Sequence, residues 1–259
     1  MRRKFSGILV AAMALLLIVG ASSKAEAAFF AAICNDITCT GGGDLIVQDD
    51  TVGDLTGTGA GAVPGVITLS FATGGFNIVL NISQSKPAIG SAGAPQLDLN
   101  FTATDIAGVA PDCSAASPCS VWLFASDNGF TAPGAATLNI AGNQPPGGTV
   151  NARAWGGTTN NTVDLTGTAP GITANLLINS GNMTNATGAQ QNFAFTGSGG
   201  TLGGVTPYSL TIGVNIIGTG PGTTTGDEHL SVPEPATMAL FGLGLVGFGA
   251  ASRRRRAKK

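Results

Sequence analysis

The chain predicts an all-β exported domain, a β-sandwich or jelly roll, flanked by an N-terminal signal helix and a C-terminal transmembrane helix. Three observations predict the β class. Short runs alternate apolar and polar residues with period two. Gly, Pro, Asn and Thr separate those runs, as turns require. Strong helix formers other than alanine are scarce between the two ends.

The elements follow in order. Arg2-Arg3-Lys4 is a positive n-region, Ile8–Gly20 an apolar h-region, and Ala25-Glu26-Ala27 a small-residue cleavage site. Residues 1–27 therefore read as a signal peptide cut after Ala27, with Ala21 as the alternative. Val66–Phe71 and Phe76–Ser83 read as neighbouring strands across Gly74-Gly75, and Gln96–Thr102 alternates strictly. Further strands are expected at Val121–Ala125, Ala136–Ile140, Val150–Trp155, Thr173–Ile178, Asn192–Thr196 and Tyr208–Ile217. The domain is expected to run from 28 to 217, and residues 218–231, with Thr223-Thr224-Thr225-Gly226, to form a flexible stalk. Asp54-Leu55-Thr56-Gly57-Thr58 recurs at Asp164-Leu165-Thr166-Gly167-Thr168, which either records a duplication or repeats the same turn chemistry.

The C-terminal segment, 232–259, has three parts. Val232-Pro233-Glu234-Pro235 is held extended by its prolines. The apolar run 236–251 would be about 24 Å long as a helix, shorter than the usual span. The basic tail 252–259, with Arg253, Arg254, Arg255 and Arg256, would keep that end in the cytoplasm and the domain outside. This order of parts resembles the PEP-CTERM sorting signal of exported bacterial proteins. The resemblance implies a substrate of an exosortase, a membrane-embedded cysteine transpeptidase cutting at or near Val232–Pro235. It also implies an inner-membrane-anchored precursor, later at the cell surface or in the extracellular matrix, and a link to exopolysaccharide and biofilm. The processing partners would be signal peptidase and the exosortase. A plain single-span anchor is the alternative.

Charge and chemistry narrow the function. Between Ala28 and Ser231 only Lys86 and Arg153 oppose eleven aspartates and Glu228, a formal charge of −10. Nucleic acid is excluded as a partner, since a phosphate backbone needs a basic footprint. The single histidine, His229, falls in the expected stalk, so a Ser-His-Asp triad is not expected. Asp98 and Asp105 are the best-placed carboxylates for glycoside hydrolysis, and read better as solvated or turn residues. No enzyme and no cofactor are expected. Export favours disulfides, and the local pairs Cys34–Cys39 and Cys113–Cys119 are preferred among three connectivities, with a four-thiolate zinc site as the rival. Asp44, Asp49, Asp50 and Asp54 offer oxygen ligands for Ca²⁺, but their spacing fits an acidic solvated loop better. Trp122 reads as core, whereas Trp155 beside Gly156-Gly157 is the candidate for stacking on a sugar. The function expected is a structural or adhesive surface or matrix protein. A carbohydrate-binding module is second and a secreted hydrolase third.

Overall fold

The computed structural model describes residues 29–39, 42–57, 62–106, 113–157, 160, 176–202 and 207–233. The segment 1–27 expected to be a signal peptide, the copy of the repeat at Asp164, the strand start Thr173–Asn175 and the tail from Glu234 lie outside these residues. Among the described residues there is no helix. They form two antiparallel sheets packed as a sandwich.

Sheet I holds β1 (Phe30–Cys34), β2 (Leu45–Gln48), β6 (Cys119–Phe130), β8 (Thr149–Gly157), β9 (Leu176–Asn179), β10 (Met183–Thr184) and β12 (Tyr208–Gly218). Its order is β10-β8-β12-β6-β1-β2, with β9 also on β8. Sheet II holds β3 (Val66–Thr73), β4 (Phe76–Gln84), β5 (Gln96–Asp105), β7 (Gly134–Gln144), β11 (Gln191–Leu202) and β13 (Gly222–Ser231). Its order is β11-β7-β13-β5-β4-β3.

The alternation seen in the sequence becomes the core. On β5 it turns Leu97, Leu99, Phe101 and Ala103 inward, each fully buried or nearly so. From sheet I, Val121, Leu123, Val150, Ala152, Ile212, Val214 and Ile216 meet them in one apolar cluster. At roughly 25 cal/mol per Å² of apolar surface, this interleaved layer is the main favourable term in folding. Tyr208 joins it with its hydroxyl donating to the Ala132 carbonyl at 2.6 Å, and burial pushes that phenol up to about 12.

Sheet I is apolar on its other face as well. Trp122, Phe124 and Trp155 form a second cluster with Ala32 and the Cys34–Cys39 bridge. Trp122 and Phe124 stack at 5.5 Å, and Trp155 is tilted against both at 6.4 and 6.1 Å. Gly213, between β6 and β8, makes the cluster possible, because a Cβ there would lie 2.6 Å from the Phe124 ring.

The main departure from expectation is at the C-terminal side. The segment read as a flexible stalk contains β13, which lies in the interior of sheet II. It pairs with β5 from Gly222↔Asp105 to Ser231↔Gln96 and with β7 from Thr225↔Asn143 to Ser231↔Thr137. The turn 219–221 replaces the stalk, and the fold continues through Val232 rather than ending at Ile217. Strands β1, β2 and β10 also carry no alternation long enough to be read from sequence.

Both basic side chains of the region are engaged, Lys86 buried and Arg153 half-buried. Lys86 is buried, with Nζ 2.8 Å from Asp127 Oδ2 and bonded to the Asn128 carbonyl, under the Phe130 ring. Ser85 donates to the same carboxylate, and the Lys86–Pro87 peptide is cis. Arg153 lies over the Trp122 ring at 5.1 Å and donates to Asn151. Neither charge is left to form a basic patch.

Candidate functional site

Two features of this fold bear on function: the outer face of sheet II and the point where the chain leaves the sandwich. The outer face is assembled by the polar half of each alternation. Asn81 donates to Asn100 at 2.9 Å and to Thr102 at 3.3 Å, and Asn100 reaches Asp227 at 3.5 Å. Thr104 and Thr223, Asn143 and Thr225, and Thr137 and Ser198 bridge neighbouring strands at 3.2–3.3 Å. Such cross-strand pairs stiffen the sheet and leave a broad array of hydroxyl and amide groups facing water.

His229 stands within this array, not on a stalk. Its Nδ1 lies 3.4 Å from Asp98 Oδ1, and its neighbour across β7 is Asn139. Hydrogen bonding to Asp98 raises the imidazole pKa above its ordinary value, against an opposing push from partial burial, and the charges of Asp98 and Asp227 add to the rise. Asp227 is raised by partial burial and by the like charge of Asp98.

Glu228 faces the other way. It is fully buried in the core between Leu99 and Ile140, and among the described residues neither carboxyl oxygen has a hydrogen-bond partner. Burial raises its pKa well above the carboxylate range and Asp98 adds to this, while the nearby Arg153 backbone offsets only part. Sequence reading placed it in the stalk. Its position in the register Thr224-Gly226-Glu228-Leu230, alternating with Thr223-Thr225-Asp227-His229, is the signal that would have found it.

The other candidates are dispersed. Asp98 faces outward on β5, whereas Asp105 is buried at its far end. Seven residues of extended strand, about 23 Å, separate them, so they do not flank one glycosidic bond. Trp155 is 1% exposed, closed into its aromatic cluster, and cannot stack on a sugar. Both disulfides form as the local pairs Cys34–Cys39 and Cys113–Cys119.

The carboxylates of the acidic stretch accept from backbone amides around it. Asp44 accepts from the Asn35 amide at 2.9 Å, Asp49 from Gly65 at 2.6 Å and Asp54 from Thr56 at 2.9 Å. Partial burial and the charges of Asp50 and Asp54 raise the pKa of Asp49, against the Gly65 hydrogen bond. Asp50, next along, is exposed and takes a positive φ. Among the described residues no group of three or more His, Cys, Asp or Glu is placed to hold a metal ion.

The chain leaves sheet II abruptly. Ser231 is the last residue of β13, and the Val232 amide donates to the Pro95 carbonyl at 3.0 Å. The Val232 side chain is 2% exposed and packs against Gly134, where an added Cβ would lie 3.1 Å from Val232 Cγ1. Pro233 is exposed. The chain enters toward the same end, since Phe30 pairs with Ser126 near the end of β6, and β7 begins at Gly134. Glu234, Pro235, Arg253–Arg256 and the signal-peptidase residues Ala25 and Ala27 lie outside the described residues. Among the described residues no helix is long and apolar enough to cross a membrane, and the run 236–251 is not among them.

Fold and exit together define a class: a disulfide-bonded β-sandwich whose last central strand runs straight into a C-terminal sorting segment. Residues 231–256 match the family model of the PEP-CTERM protein-sorting motif. The chain thus carries that signal, which marks an exported, membrane-anchored precursor at the cell envelope, processed by an exosortase. No curated protein matches the chain. Among solved structures it is similar to the enzymatically active domain of tailspike protein 4 of bacteriophage CBA120, at 9% identity and TM-score 0.27 over 53% of this chain and 17% of that one. It is also similar to infectious bursal disease virus strain Gx, at 11% identity and TM-score 0.29 over 82% of this chain and 53% of that one. The chain therefore spans less than two thirds of either, and likenesses this distant carry no argument.

Proposed function

We propose that the exported domain is a non-catalytic structural or adhesive component of the cell surface or extracellular polymer matrix, delivered there by its sorting signal. The observation that supports this reading is the outer face of sheet II. Its cross-bridged Asn, Thr, Asp and Ser side chains offer many weak hydrogen-bonding positions on a stiff support. A hydroxyl-rich polymer such as an exopolysaccharide would meet such a face by many modest hydrogen bonds acting together.

A carbohydrate-binding module with a defined subsite is the second reading. With Trp155 enclosed, its contacts would fall on the same face. The test is co-sedimentation of the processed protein with envelope exopolysaccharide. Binding is expected to weaken several-fold when Asn100 and Thr225 are replaced together by Ala and Val. Equal sedimentation of both proteins, or none of either, would refute the assignment of this face.

A further inference from the structure

The junction between fold and signal limits where the sorting enzyme can cut. A peptidase-type enzyme takes its substrate as an extended, unpaired strand, because its own site must reach the backbone on both sides of the scissile bond. Upstream of the motif no such strand is on offer. Ser231 is paired on both sides, with Gln96 of β5 and Thr137 of β7. Val232 is anchored twice more, by its amide to Pro95 and by its buried side chain against Gly134. Pro233 is the first exposed residue after β13, and lacking an N–H it cannot extend the ladder.

Resting on the exosortase reading above, we infer that the folded domain withholds Val232 from the enzyme. The motif is read from Pro233 onward, and the scissile bond lies C-terminal to Pro233. Val232 is then the closing residue of the sandwich and stays on the mature protein. With no stalk, at most about 14 Å of chain separates Val232 from Ala236 at the start of the apolar run, so the enzyme must work against the end of the sandwich that carries Pro95 and Gly134.

The full-length chain, produced in cells containing the exosortase, tests this by mass spectrometry of the mature C-terminus. An end at Pro233 or beyond, with the tail lost, is expected. An end at Val232, Ser231 or earlier would overturn the inference while leaving exosortase sorting intact, since it would mean that an opened or unfolded chain is processed. An intact Lys259 would overturn both. A second chain carries ten Gly/Ser residues inserted between Ser231 and Val232, which frees the whole motif from β13. Its cut is expected to keep its place relative to Pro233, with release within about twofold of the parent. A tenfold or greater gain in release would show that the enzyme needs residues the fold withholds, and would overturn the inference.

Discussion

A chain truncated after Ile217, where composition alone would end the domain, is expected not to fold. The deletion removes β13 from the interior of sheet II and leaves β5 and β7 with unpaired edges facing each other. Two ladders are lost, one along the full strand and one from Thr225 to Ser231. At roughly 1 kcal/mol net per ladder hydrogen bond, this is on the order of 10 kcal/mol. Losing the burial of Leu230 and Val232, both within 2% of complete, adds about 1.5–3 kcal/mol each. The sum matches the whole stability of an ordinary domain, about 5–15 kcal/mol. Exposed strand edges should also drive aggregation. Urea unfolding followed by far-UV circular dichroism would compare chains 28–217 and 28–233. The longer chain should unfold cooperatively, and the shorter should show no transition or precipitate. Equal midpoints for the two would refute the placement of β13 and, with it, the argument about Val232.

Four further outcomes follow from the same geometry. Glu228→Gln should stabilise the domain at pH 7 and change it little at pH 4. A carboxyl raised above its unfolded value of 4.5 leaves stability intact below that value and loses it as pH rises toward the folded pKa, so melting temperatures at the two pH values check the sign. The raised His229 pKa acts in the same direction at higher pH, its contribution being complete below 6.5 and lost above, so His229→Ala should flatten the fall in melting temperature between pH 6.5 and 8. Lys86→Met leaves Asp127 buried without its cation and should cost about 3–5 kcal/mol by urea unfolding, whereas an effect below about 1 kcal/mol would mean the site is wetter than its burial indicates. Gly213→Ala drives a methyl against Phe124 and Trp155 and should cost about 1–3 kcal/mol, with a shift in tryptophan fluorescence reporting the displaced cluster.

Much was legible in the sequence because its causes are local. The proline-flanked sorting motif and the basic residues after it act through consecutive residues. Strand alternation is a property of single segments, and the two disulfides close loops of five and six residues, so composition and spacing were enough. What the tertiary structure alone decided is which polar segment belongs inside. Thr-Thr-Thr-Gly-Asp-Glu-His carries no hydrophobic pattern of its own, because the apolar matter over β13 comes from its neighbours. At Gly226 the ring of Phe101 fills the place of a side chain, 2.5 Å from where a Cβ would stand, and Phe193 closes in at 3.2 Å. Gly142, its register partner, leaves room for the same Phe193 ring. Those rings lie about 125 and 33 residues away in sequence, and only closure of the sheet brings them to the strand. The same closure turns Trp155 into core, parts Asp98 from Asp105, buries Glu228 and holds Ser231 and Val232, the first residues of the sorting segment, within the fold.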